Sequence, residues 1–209
     1  GLSLPADVSG AFDVRDQAGG FHVAYSGEAQ NFAPLPEPLQ SLAGDRAVFE
    51  GILILDDAQN LEVPELTVST QGLSADIKGA RTKNGVLEAG IDYAAQPFSV
   101  SQLSAEGTQG TAKIDGTLGA LAFNIKGASP KITVSNRVLS GVTYRAKGRK
   151  DGSAIEADIA LTGQDDLGAM SLDAKGLYQD GTWAFQNLAS EFSGLSISGD
   201  VSGQGGDLA

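Results

Sequence analysis

Two aspartate pairs, Asp56-Asp57 and Asp165-Asp166, are the nearest approach in this chain to an acid/base or metal-binding arrangement. Paired carboxylates can share a proton or hold a divalent cation. Both pairs fall in polar stretches between alternating segments, where aspartate reads as a solvated turn residue. His22 is the sole histidine and lies on the polar phase of Phe21-His22-Val23-Ala24-Tyr25, which makes it a solvated strand residue rather than a base or ligand. Gly194-Leu195-Ser196-Ile197-Ser198 comes closest to a nucleophile elbow, but it lacks the final glycine and no second histidine could complete a triad. No phosphate loop or dinucleotide fingerprint occurs. Gly203-Gln204-Gly205-Gly206-Asp207 echoes a calcium-binding glycine repeat only once. The chain has no cysteine, which excludes thiol catalysis, thiolate metal sites and disulfides. The expectation is a protein that is not an enzyme, with no catalytic residue, no metal and no cofactor.

Charge narrows the partners. A formal net charge of -12 argues against nucleic acid, which needs basic density, and against general binding to anionic membrane surfaces. No run of about 18 apolar residues could cross a membrane as a helix. The chain starts at Gly1 without a signal peptide and is read as a mature or excised segment of something longer.

What remains is a pattern of strands. Glu65 to Ala80 shows it best: Leu66 and Val68 alternate with polar residues, Gln71-Gly72 turns the chain, and Leu73, Ala75 and Ile77 alternate again before Lys78-Gly79. Period-two alternation puts the apolar side chains on one face. Similar runs recur from Val8 to Val201 and predict about fifteen strands, with turns every eight to twelve residues. The 28 glycines read as punctuation between runs. Asn84-Gly85 is the strongest hairpin signal, and Pro64 marks a bulge or an edge. Ile52 to Leu55 is apolar on both phases, as if covered on both faces. Residues 31–45 carry Pro34, Pro36 and Pro38 and form a possible sub-boundary, with a short helix over Pro38–Leu42 as the only helix expected. Lys78-Gly79, Lys126-Gly127 and Lys175-Gly176 recur roughly 48 residues apart and suggest an extendable unit. The domain reading is one repetitive segment over 1–201 with a frayed tail at 202–209.

So many amphipathic strands need a cover: a second sheet, a closed barrel or a curled trough. An outer-membrane barrel would need aromatic girdles and strands of about nine to eleven residues, whereas the aromatics are few and the runs shorter. The apolar positions are mostly medium aliphatics, which leaves trough and sandwich both open. The fold class expected is all-β, an elongated curled antiparallel sheet with an apolar interior.

Pro36 to Gly51, and Leu61-Glu62-Val63-Pro64-Glu65-Leu66-Thr67-Val68 followed by Gly72-Leu73-Ser74-Ala75-Asp76-Ile77-Lys78-Gly79, resemble segments of the TamB family, within the AsmA-like group of bridge-like lipid transporters. The likeness is one of style and spacing, over residues 36 to 201. It implies a periplasmic segment of an inner-membrane-anchored protein, a β-groove that conducts phospholipid acyl chains toward the outer membrane. It also implies that the full-length protein pairs with TamA, an Omp85-type outer-membrane barrel. A barrel-engaging terminus is not recognisable in this chain.

On that reading the groove lining is Leu66, Val68, Leu73, Ile77, Leu87, Ile91, Phe123, Ile125, Ile132, Val134, Ile155, Ile159, Leu172, Phe185, Leu195 and Ile197. Ordinary core is the competing account of each. Arg145, Lys147, Arg149 and Lys150 form a basic cluster read as a solvated hairpin end that deters edge pairing, or as a rim contact to lipid phosphates. The alternative function is a closed β-sandwich or solenoid module for adhesion or protein binding.

Overall fold

The computed structural model describes residues 7–17, 20–30, 42–58, 60–83, 85–100, 103–117, 119–192 and 195–204. The greater part of the expected helix over Pro38–Leu42, most of the break at 31–45, Asn84, Gly194 and residues 205–209 of the expected tail lie outside the described residues, while residues 202–204 of that tail are not frayed but pair in the last strand. Alternating residues with β-branched and aromatic apolar positions favour extended backbone, and nearly every described residue is in a strand. The strands are β1 (Asp7–Gln17), β2 (Gly20–Gln30), β3 (Arg46–Asp56), β4 (Leu61–Thr70), β5 (Leu73–Lys83), β6 (Val86–Ala95), β7 (Phe98–Val100), β8 (Leu103–Ala105), β9 (Thr108–Thr117), β10 (Ala120–Val134), β11 (Arg137–Asp151), β12 (Ala154–Asp165), β13 (Gly168–Gln179), β14 (Thr182–Phe192) and β15 (Leu195–Gln204).

All fifteen join one antiparallel, unclosed sheet in chain order, interrupted only by the short hairpin β7–β8. That hairpin continues the lanes of β6 and β9, with β8 pairing the far end of β10 through Ile132↔Ala105 and Val134↔Leu103. The path therefore has thirteen lanes, about 58 Å along the sheet at roughly 4.8 Å per lane. Every substantial strand contact is between ladder neighbours. The sheet is elongated and curled.

The surface area reflects that single layer. The chain exposes 13,526 Å², against roughly 9,000 Å² for a compact protein of its mass. Among the described residues the buried apolar set is Leu139, Val142 and seven alanines. Ile52 to Leu55 in β3 are not covered on both faces as expected: Ile54 pairs with His22 and Glu62 on the polar side, and all four residues keep some exposure.

The strands are longer than the sequence pattern implies, with thirteen of them spanning ten to fifteen residues. The reason is that many glycines lie inside strands rather than between them. Two of these mark creases. Pro64 in β4 and Gly79 in β5 sit opposite each other, unpaired between Glu65↔Lys78 and Val63↔Ala80. Pro130 in β10 and Gly141 in β11 repeat the arrangement between Ser129↔Val142 and Lys131↔Ser140. Proline has no N–H to give a ladder, and both glycines take left-handed backbone, φ 61° and 57°. The extra residue in each strand inverts its side-chain phase. Leu139 and Val142, three residues apart, thus both approach Gly163 on the same face. Glu106-Gly107 and Gln96-Pro97 carry the second crease across the two preceding lanes, with Gly107 at φ 112°.

Pro64 is therefore a bulge and not an edge. Gly72 makes no crease but, with Gln71, turns the chain between β4 and β5 as expected. It is squeezed where its N–H donates to the Leu42 carbonyl at 3.0 Å and its carbonyl accepts from Gln96 N–H at 2.8 Å. The Lys-Gly recurrence does not mark one structural unit, because Gly127 and Gly176 lie in regular ladder under neighbouring side chains while Gly79 is the bulge. Gly141 and Gly199 both have open space where a Cβ would go, and only Gly141 is left-handed. Gly141→Ala is expected to lower unfolding stability by about 1–2 kcal/mol, whereas Gly199→Ala should leave it unchanged or raise it by up to about 1 kcal/mol, measured by urea titration. Equal effects would mean that the crease is not strained.

Candidate functional site

Ladder register carries one apolar row to the next. Phe12 pairs with Tyr25 and Val14 with Val23; Phe49 pairs with Val68, Leu66 with Ile77, and Ile77 with Ile91. Ile91 faces Ala112, which faces Ile125, then Ala146, Ile159 and Ala174. Phe185 pairs with Val201, and Ser190 with Ile197. All sixteen residues named for the lining lie on this face, with Ile132 and Val134 joining it through the phase inversion at Pro130. In the middle lanes the face is half-buried by its own neighbours, with Leu66, Ile77, Ile91, Ile125 and Ile159 all intermediate. At the two outer strands it is open: Phe12 is 75% exposed and Leu195 67%.

Glycine and aromatic residues alternate across this face. A Cβ on Gly27 would strike Phe49, and one on Gly51 would crowd Tyr25; Gly110, Gly127 and Gly203 lie in the same way under Tyr93, Tyr144 and Trp183. Each ring leans over a glycine of the adjacent strand, so aromatic area replaces the missing side chain. Tyr25 and Phe49 also meet at 6.2 Å between centroids, and Trp183 and Phe185 at 5.8 Å. The indole N–H of Trp183 is buried without an acceptor.

Sequence reading missed a hydroxyl belt across this apolar floor. Gly110 pairs with Gly127, and the flanking Tyr93 and Tyr144 reach over them from either side. Their hydroxyl oxygens are 3.0 Å apart, and the Tyr144 oxygen is 2.5 Å from Thr108 Oγ1. Tyr93 donates to the Lys126 carbonyl at 3.3 Å, and Thr108 to the Ala128 carbonyl at 3.1 Å. In the same row as Thr108 lies Ser129, 2% exposed, its hydroxyl 2.6 Å from the Gly107 carbonyl at the crease. Burial and the Tyr144 hydroxyl push the Tyr93 pKa well above the ordinary tyrosine value. The signal available in sequence was Tyr93 and Tyr144 on apolar phases whose strand partners are glycines, which only the register reveals.

The opposite face is polar. Lys78 pairs with Asp92 at 3.0 Å, and Glu156 receives both Arg149 at 3.2 Å and Lys175 at 2.5 Å. Those two cations hold the Glu156 carboxyl below its ordinary pKa, Lys175 foremost. Such exposed pairs add little stability. The basic cluster is not at an edge, since β11 is the ninth of thirteen lanes. Arg145, Lys147 and Arg149 project on the polar face, away from the apolar one, and Lys150 alone shares the apolar phase beside Ile155. A rim contact by the cluster as a whole does not fit this placement. The described cavities, about 510 to 610 Å³, open mainly among polar-face residues such as Asp13, Glu50, Lys126 and Lys147.

Neither aspartate pair forms a site. Asp56 accepts from the backbone and side-chain amides of Asn60, both at 2.8 Å, and Asp165 from the N–H groups of Leu167 and Gly168 at 2.8 and 3.1 Å. Both therefore cap turns, while Asp57 and Asp166 are exposed. No group of three metal-ligating side chains occurs among the described residues. Comparison with protein-family models, with curated proteins and with solved structures finds no match.

A raised Tyr93 pKa means that folding favours the protonated phenol. Stability from this source is full below the ordinary value of 10.0 and is lost as pH rises above it. The urea midpoint should therefore stay level from pH 7 to about 9 and fall above about 10, and Tyr93→Phe should make that fall shallower. Identical alkaline slopes in the two proteins would contradict the placement of this hydroxyl.

Proposed function

We propose that this chain is a non-enzymatic, periplasmic β-groove segment whose apolar face carries phospholipid acyl chains between the inner and outer membranes. The observation that supports it is one apolar face continuous across thirteen lanes, left half-exposed by a sheet that has no second layer among the described residues. A contiguous apolar surface of this extent needs an apolar partner. Full burial is worth about 0.8 kcal/mol per methylene, so a sixteen-carbon chain covered on one side gains roughly 5–6 kcal/mol. That corresponds to holding in the range of about 0.1 mM, loose enough for transit. The TamB resemblance supplies the rest of the proposal: inner-membrane anchorage, outer-membrane biogenesis and pairing of the full-length protein with an Omp85-type barrel.

A second reading has its own observation. Among the described residues the outer edges of β1 and β15 carry no partner strand, and edge strands accept client strands by β-addition. On that reading the exposed Phe12 and Leu195 would meet a protein.

The two are separated by mass spectrometry of protein expressed in a Gram-negative periplasm and gently extracted. Lipid should co-purify with the wild type and drop several-fold in Ile77→Asp and Ile125→Asp, with the strand signal in circular dichroism retained. Lipid-free wild type, or undiminished lipid in both variants, rejects the conduit. Unfolding of both variants identifies the face as packed core, where a buried unpaired charge is costly.

A further inference from the structure

The hydroxyl belt is a cluster of polar groups set in the middle of the apolar floor, and its proton count defines what it can bind. Tyr93, Tyr144 and Thr108 have three hydroxyl protons between them. Two go to the carbonyls of Lys126 and Ala128. The third, on Tyr144, lies between the oxygens of Tyr93 and Thr108 at 3.0 and 2.5 Å. With the Tyr93 and Thr108 protons on those carbonyls every proton is committed, while each oxygen has more than one lone pair. What the cluster offers a ligand is therefore acceptors. Phosphate and carboxylate, which need donors, do not suit it.

Charge narrows the ligand again. The rows on either side are Ile91, Ala112, Ile125 and Ala146 above, and Ala95, Thr108, Ser129 and Val142 below. No carboxylate lies in those rows to pair an ammonium, and an unpaired charge on an apolar floor is costly. The donor that fits is neutral. We propose that Tyr93, Tyr144 and Thr108 form a subsite for the free hydroxyl of a long-chain amphiphile, whose alkyl chain lies along Ile91, Ile125 and Ile114. This rests on the reading that the apolar face holds acyl chains. It adds to that reading a fixed station on the floor, where a lipid bearing an unesterified hydroxyl pauses and one lacking it slides past.

The test uses the full chain and a fluorescent fatty acid, cis-parinaric acid, displaced by dodecan-1-ol or by 1-methoxydodecane. The two competitors share an alkyl chain and an oxygen, and only the alcohol donates. On a floor without a partner the alcohol binds more weakly than the ether, because its hydroxyl gives up water for nothing. With the subsite, wild type should prefer the alcohol by about five- to tenfold. Tyr93→Phe/Tyr144→Phe keeps both rings over Gly110 and Gly127 and should reverse that preference, leaving ether affinity within about twofold of wild type. Tyr144→Phe alone, which removes the central hydroxyl but leaves the Tyr93 and Thr108 oxygens, should reduce the preference severalfold and serves if the double variant melts. A wild type that favours the ether, a double variant that still prefers the alcohol, or a single variant whose preference is undiminished, overturns the subsite while acyl binding stands. Failure of cis-parinaric acid to bind at all overturns the acyl reading and the subsite together.

Discussion

Cohesion in this molecule runs lane to lane through the backbone ladder, because no second layer among the described residues presses on the sheet. In a sandwich, each strand is held by its neighbours and by the opposing sheet. Here an interior lane has only the antiparallel lanes on its two sides and the side chains standing beside its own on each face. That explains why alanine dominates the most buried positions, and why Val142, at the crease, is the largest fully enclosed side chain among the described residues. It also explains the long strands β10 and β11. Extra length is the remaining way to add hydrogen bonds and cross-strand contacts when depth is missing.

The creases solve a problem that follows from the same constraint. A sheet of thirteen lanes cannot stay flat against its natural twist, and it must bend without exposing unpaired groups. Setting proline opposite a left-handed glycine places the missing N–H where the ladder is already open. Ser129 then satisfies the Gly107 carbonyl beside it. The cost is an inverted side-chain phase, which the following residues respect: Leu61 and Val63 precede Pro64 on odd numbers, while Leu66 and Val68 follow on even ones.

This accounts for what could and could not be read from the chain. The all-β class, the number of strands and the membership of one face by Leu66, Ile77, Ile125 or Phe185 were legible, because alternation is a local property. Strand length was not, since glycine looks the same whether it ends a strand, bulges it or lies under a ring of the next strand. Nor was the place of Arg145, Lys147 and Arg149, whose charge suggested an edge. Edges are set by how many lanes follow on each side. The hydroxyl belt was hidden for a similar reason. Tyr93 and Tyr144 are 51 residues apart, and only the register over Gly110 and Gly127 brings them together.

The rings that lean over glycines have a consequence for motion along the floor. Side chains that stand upright make ridges, and the gaps between them trap whatever lies across. A ring laid over a glycine fills the gap and lowers the ridge at once, so the surface is levelled where small and large residues alternate. On a levelled surface a sliding chain exchanges one set of weak dispersion contacts for another of nearly equal depth. The barriers between neighbouring positions are then small compared with the total attraction. A floor of this kind grips along its whole length and resists displacement at hardly any single point.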